Sequence, residues 1–178
     1  MTRVLFVCHG NICRSPMAEF VMKDLVKKAG LEREFLIESA ATSTEEIGNP
    51  VYPPARRKLA QHGIDCSGKT ARQLQNDDYE EYDLLVGMDR ANLRNMYRIC
   101  GGDFNKKMHL LMEYAGHPDR EVADPWYTGG LRGHLAGCAD GVPRNFEGNG
   151  ETQRWISWLS GEQRSMCNGT PIGMTILV

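Results

Sequence analysis

Val4-Leu5-Phe6-Val7-Cys8-His9-Gly10-Asn11-Ile12-Cys13-Arg14-Ser15-Pro16 is the stretch from which the rest of the chain can be read. Four consecutive apolar residues without polar alternation predict a strand covered on both faces, of the kind found in parallel sheets. The strand ends at Cys8. Gly10 and Asn11 accept the backbone angles of a tight loop, Ser15 is a preferred N-cap, and Pro16 suits a first helical turn, so a helix is expected to begin there. Strand, loop and helix in that order bring loop amides and a helix N-terminus to one point, where an anion is favoured.

Five residues separate Cys8 from Arg14, which places a thiol and a guanidinium on one short loop. The helix end and the guanidinium favour the thiolate, the attacking form of cysteine, and Arg14 offers a planar, two-pronged donor to a bound oxyanion. A buried, inert strand-end cysteine beside an unrelated arginine is the alternative for Cys8 taken alone. The surrounding loop favours the first reading. It resembles the nucleophile loop of the low-molecular-weight protein tyrosine phosphatase family, which also carries it at the N-terminus. The similarity runs to about residue 129, giving an expected phosphatase domain, 1–129, and an atypical tail, 130–178.

The resemblance implies a phosphotyrosine phosphatase with Cys8 as nucleophile, working without metal or other cofactor. Its substrate would be a phosphotyrosine protein or an aryl phosphate, and phosphate, sulfate or vanadate would settle in the loop. His9, Gly10, Asn11, Ile12, Cys13 and Ser15 would line the phosphate site around Arg14. Ile12 implies a flat aromatic substrate, because phosphoarginine-directed relatives carry threonine there. A reversible Cys8–Cys13 disulfide is also implied, with packing of Cys13 beneath the loop as the alternative. Ser39, at the end of the next strand, would brace the loop through Asn11 and Ser15, or simply be a small residue at a strand end.

Further along, Met17, Val21 and Leu25, with Met22 and Val26, form the apolar stripe of a helix ending near Gly30, while Glu19, Lys23, Asp24, Lys27 and Lys28 are assigned to its solvated face. Phe35-Leu36-Ile37 opens a second strand that runs to Thr42. Glu46 to Pro50 reads as a turn, followed by a helix from Ala55 to His62, where His62 is expected to cap the last carbonyls. Tyr82 to Met88 is the third strand, Asp89 caps a helix reaching about Ile99, and Met108 to Leu111 is a short fourth strand in which His109 reads as a satisfied core residue. Alternating strands and helices predict an α/β fold, a doubly wound, four-stranded parallel sheet in three flavodoxin-like layers, with its site at the strands' carboxyl ends. Two residues depart from the resembled family: Glu45 stands where some relatives have a rim aromatic, and Lys69 where many have a loop-bracing histidine.

Asp124-Pro125-Trp126-Tyr127 follows. Departure of a phenolate needs a proton, and a carboxyl on a loop over the strand ends can supply it and then activate water. Asp-Pro is also a common turn; followed by two aromatics and sharing a chain with the nucleophile loop, it resembles the family's acid motif. Trp126 and Tyr127 would then flank the phenyl ring, or else anchor the loop.

Composition narrows the remaining classes. A net charge of −2 without long basic runs points to neither nucleic acid nor membrane as partner. No signal-peptide profile or spanning segment is visible, so a cytoplasmic location is expected. Cysteines at 8, 13, 66, 100, 138 and 167 include no Cys-x-x-Cys pair, which argues against a zinc site or a secreted disulfide framework. The same count bears on a second function, a thioredoxin-coupled arsenate reductase, which shares the loop but needs a close cysteine pair in the third quarter; only Cys100 lies nearby. A phosphotyrosine-binding module of weakened catalytic power is a third. From Gly130 the character changes: all seven lysines precede it, and four arginines stand against four acids without a helical stripe. The family's closing helix is missing or replaced there. Read one base later, the permitted codons allow DFEATWRDVLTGC, which resembles that helix, so a frameshifted, poorly ordered tail is expected.

Overall fold

The computed structural model describes residues 1–114 and 117–124. Strand β1 (Thr2–Cys8) is followed by helix α1 (Arg14–Lys28), strand β2 (Phe35–Ala41), helices α2 (Pro53–Gln61) and α3 (Asp78–Glu81), strand β3 (Leu84–Gly87), helix α4 (Arg90–Ile99), strand β4 (Met108–Leu110) and helix α5 (Leu111–Tyr114). The sheet is parallel in the order β2-β1-β3-β4. β1 thus lies between the strand that follows it and the strand reached after two more helices. At this reversal of strand order an open α/β sheet leaves a crevice at its carboxyl edge, and Cys8 stands there, paired in register with Ala41.

The expected two-sided burial of β1 is present. Val4, Phe6 and Cys8 join Ala18, Met22 and Val26 of α1 in one cluster, whereas Leu5 and Val7 point to the other face, against Tyr79, Tyr82, Met96 and Cys100. Burying each such aliphatic or aromatic side chain contributes about 1.5–3 kcal/mol, so the strand that ends at Cys8 is among the best-anchored of the described parts. A third cluster, Met17, Val51, Ala55, Leu59 and Cys66, seals α1 against α2.

Several boundaries differ from expectation for identifiable reasons. α1 starts at Arg14 with Cys13 at the N-cap position and no side-chain cap; Ser15 is inside the helix, its hydroxyl drawn instead into a buried polar network. α2 starts two residues earlier than predicted because Pro53 and Pro54 occupy its first turn. β3 is shorter than the apolar run, and Leu111 opens α5 instead of closing β4. Glu19, assigned to the solvated face of α1, is buried. His62 occupies the C-cap position of α2, and its backbone N–H, not its ring, supplies the hydrogen bond there, to Leu59. His109 is only partly buried, its ring held between Glu113 and the carbonyl of Lys106. Trp126, Tyr127 and the expected tail at 130–178 lie outside the described residues.

Candidate active site

Cys8 ends β1, and the chain turns immediately, with Asn11 in the left-handed region at φ 56°. Asparagine tolerates this conformation better than most residues, and the turn aims its backbone N–H back at the Cys8 sulfur, 3.3 Å away. Ser15, one residue into α1, places its hydroxyl 3.0 Å from the same sulfur. Because α1 begins at Arg14, the amides of its first turn have no intrahelical acceptor and face the loop. A helix start without a side-chain cap is a place where an anion is favoured.

The loop is braced from beneath. Asn11 Nδ2 donates to Ser15 Oγ and to Ser39 Oγ, both at 2.8 Å, so Ser39 does reach Asn11 and, through it, Ser15. The Asn11 side-chain oxygen, Oδ1, accepts the Arg72 backbone N–H at 3.2 Å. Ser39 in turn donates to the buried Glu19 carboxylate, against which Lys69 lies at 3.2 Å. On the outer side the Ile12 carbonyl accepts the Tyr52 N–H at 2.7 Å. Gly10 is packed so closely on Glu46 that a Cβ there would come within 3.1 Å of its side chain. At the rim His9 Nε2 meets Glu45 at 3.1 Å, both side chains well exposed.

Arg14 is almost wholly enclosed, its side chain 3% exposed. Nη1 donates to Asp89 at 2.6 Å and to the Val122 carbonyl at 3.2 Å, and Nη2 donates to Asp124. The structure therefore pairs Arg14, on the loop that follows Cys8, with Asp124 from a segment more than a hundred residues away. The Asp124 segment is pinned to the sheet by the Val122 N–H, which donates to Met88 at 2.8 Å.

Cys8 is a free thiol while Cys13 is disulfide-bonded, so the two sulfurs are not joined to each other here. Cys13 packs with the Met17 and Leu59 cluster. Cys100, the one cysteine near the position a disulfide relay would need, lies in the cluster on the opposite face of the sheet from Cys8, and burial pushes its thiol up to about 11. Sequence reading missed Glu19, Lys69, the second role of Asp89 and the Arg72 backbone donor; each acts across the tertiary structure, and only the oddity of a lysine at 69 offered a signal.

A family profile described as low molecular weight phosphotyrosine protein phosphatase matches residues 3–145. The chain is 38% identical over 130 residues to the low molecular weight protein-tyrosine-phosphatase YfkJ of Bacillus subtilis, covering 72% of this chain and 83% of that protein. It is 42% identical over 126 residues to the low molecular weight phosphotyrosine protein phosphatase of Gallus gallus, covering 70% of this chain and 79% of that one. The crystal structure of YfkJ superposes with a TM-score of 0.76 at 32% identity, over 92% of this chain and 97% of YfkJ.

Proposed function

The chain belongs to the low molecular weight phosphotyrosine protein phosphatase family, and from that membership we propose that it hydrolyses phosphotyrosine through a cysteinyl-phosphate intermediate on Cys8. The observation that carries the reading is the Cys8 sulfur seated between the Asn11 N–H and the Ser15 hydroxyl, at the uncapped start of the helix that Arg14 opens.

The thiolate attacks phosphorus in line while the amides of residues 9–15 and the Arg14 guanidinium take the equatorial oxygens. As the phosphorus–aryl oxygen bond breaks, the protonated carboxyl of Asp124 gives its proton to the departing phenolate. The same carboxylate then takes a proton from water, which attacks phosphorus, breaks the phosphorus–sulfur bond and returns the thiolate. Asp124 is paired with Arg14. A phosphate dianion competing for the guanidinium releases that carboxylate toward the leaving group. On sequence alone, Trp126 and Tyr127 are the residues we assign to the substrate's ring, and Ile12 suits the site to a flat one. Among the described residues no helix is long and apolar enough to cross a membrane.

The test is phosphate release from an aryl phosphate by wild type, Cys8→Ser and Asp124→Asn. Wild type should turn over and be blocked by vanadate, Cys8→Ser should be silent, and rapid quenching of Asp124→Asn with labelled substrate should leave the label on Cys8. A folded wild-type chain that retains phosphotyrosine without turnover would reduce the protein to a binding module, and arsenate-dependent thiol consumption would replace the phosphatase reading with a reductase.

A further inference from the structure

Residues 117–124 form neither helix nor strand, so the segment that bears Asp124 takes its position from a few ties. At its start the His117 N–H donates to the Met112 carbonyl at 2.9 Å, and the Arg120 N–H closes a turn on His117 at 3.0 Å. Nearer the acid, the Val122 side chain is buried in the cluster that holds Phe6 and Cys8, and its N–H donates to Met88. The Val122 carbonyl and the Asp124 carboxylate both accept from Arg14. Glu121 reaches elsewhere, to the start of α4. Its Oε1 accepts the Arg90 backbone N–H at 3.2 Å and lies 3.5 Å from Arg90 Nη1.

The first N–H groups of α4 have no acceptor within the helix. Asp89 takes that of Asn92, and the Arg90 N–H is met by Glu121. Asp89 also holds Arg14, so one helix start carries both the guanidinium's partner and an anchor of the acid segment. The two anchors differ in what the reaction does to them. When Arg14 turns to phosphate, the ties that run through it, to Val122 and to Asp124, are the ones given up. Among the described residues, the hold nearest Asp124 is then Val122 on Met88 and Glu121 on α4. A chain fixed at Val122 alone can pivot there, and Asp124, two residues on, would swing with it; a second fixed point on a different element removes the pivot. The ion pair with the Arg90 side chain adds little, because the two side chains are 37% and 55% exposed. The main-chain N–H is the partner that matters, and it requires only an oxygen opposite.

We propose that Glu121 is a positioning residue for the general acid: its side-chain oxygen on the Arg90 N–H holds the Asp124 segment in place while Arg14 is engaged by phosphate. The proposal rests on the reading of Asp124 as the acid. The acceptor and the ion pair are separable. Glu121→Gln keeps an oxygen for the N–H, Arg90→Ala keeps the N–H and loses the guanidinium, and Glu121→Ala loses the acceptor.

The experiment compares kcat/KM for phenyl phosphate and for dinitrophenyl phosphate in wild type, these three variants and Asp124→Asn. A phenolate, like the tyrosine side chain with its pKa of about 10, leaves poorly without a proton, whereas a dinitrophenolate leaves without one. Expected in Glu121→Ala is a fall of about tenfold for phenyl phosphate and of less than about twofold for dinitrophenyl phosphate. Glu121→Gln and Arg90→Ala should both stay close to wild type with either ester. An equal fall with the two esters in Glu121→Ala would make Glu121 a general support of the fold and overturns the proposal, as does no fall with either. A loss in Glu121→Gln or Arg90→Ala that matches the loss in Glu121→Ala also overturns it, because the effect would then belong to the exposed ion pair. Should Asp124→Asn treat the two esters alike, the acid reading itself falls, an outcome read from a different variant.

Discussion

Asp89 carries two loads that one substitution removes and another separates. Its Oδ2 accepts from Arg14 Nη1 at 2.6 Å, and its Oδ1 caps α4 by accepting the Asn92 N–H at 2.6 Å. Asp89→Ala loses both. A helix cap is worth about 1 kcal/mol, and removing one partner of a buried ion pair costs about 3–5 kcal/mol. Arg14 still has Asp124 and the Val122 carbonyl, so the second cost should fall below that range, to about 2 kcal/mol. The expected total is about 3 kcal/mol in a urea titration at unchanged m. Asp89→Asn keeps an oxygen for the cap and loses the charge, so it should cost about 2 kcal/mol, the difference between the variants measuring the cap. Because an unrestrained guanidinium no longer points at the phosphate, kcat/KM for an aryl phosphate should fall about a hundredfold in both. If alanine and asparagine both leave stability within about 0.5 kcal/mol and activity intact, Asp89 does not hold Arg14, and the site is organised by the phosphate loop alone.

Asp124→Asn removes both a proton donor and a competitor for Arg14, so kcat should drop by about a hundredfold or more while vanadate binds more tightly than to wild type; weaker vanadate binding would mean that the Arg14–Asp124 pair does not oppose the anion. Above about pH 9 stability should decline, because Cys100, raised to about 11 by burial, and the buried Tyr79, also raised by burial, keep protons that the unfolded chain gives up. Each such proton steepens the fall by at most about 1.4 kcal/mol per pH unit, and Cys100→Ala should flatten the slope between about pH 9 and 11; an unaltered slope would show that Cys100 does not contribute. Glu45, exposed at the rim beside His9, should disfavour phosphopeptides with acidic flanks. Glu45→Ala should lower their KM about two- to fivefold at low salt and leave a small aryl phosphate unaffected, and a shift common to both substrates would remove the rim from specificity.

Much of this was legible in the chain because its signals are local. The Val4–Val7 run, the glycine and asparagine of the loop, and the proline at the helix start each act within a few residues, and together they locate β1, the turn and α1. The carboxyl edge of a parallel sheet then places Cys8, and Asp124 becomes a candidate because phenolate departure requires a proton. α3 and α5 were not legible: helices of four residues complete barely one turn and show no periodicity. Ser15 misled for a chemical reason. A serine before a helical proline is a good cap on local terms, but a hydroxyl that can reach a buried sulfur and a buried amide does so instead. Glu19 misled for the same kind of reason, since helix patterning assigns a carboxylate outward and cannot register two lysines and a serine arriving from other segments.

The partners that sequence conceals are those that hold charge in place. Arg14, enclosed to 3%, is met by Asp89 and Asp124, whose own side chains are only 16% and 18% exposed. One guanidinium between two carboxylates leaves the local balance negative, and an isolated dianion entering that space would be repelled. Asp89 is fixed by the α4 cap and Arg14 by its enclosure, so in the proposed mechanism Asp124 is the group that gives way: the acid that protonates the departing phenolate must itself be neutral at that step. In that mechanism one proton would both relieve the negative excess around Arg14 and serve the leaving group, coupling binding to leaving-group protonation through a single carboxyl, and tighter vanadate binding by Asp124→Asn is the measurement that checks it.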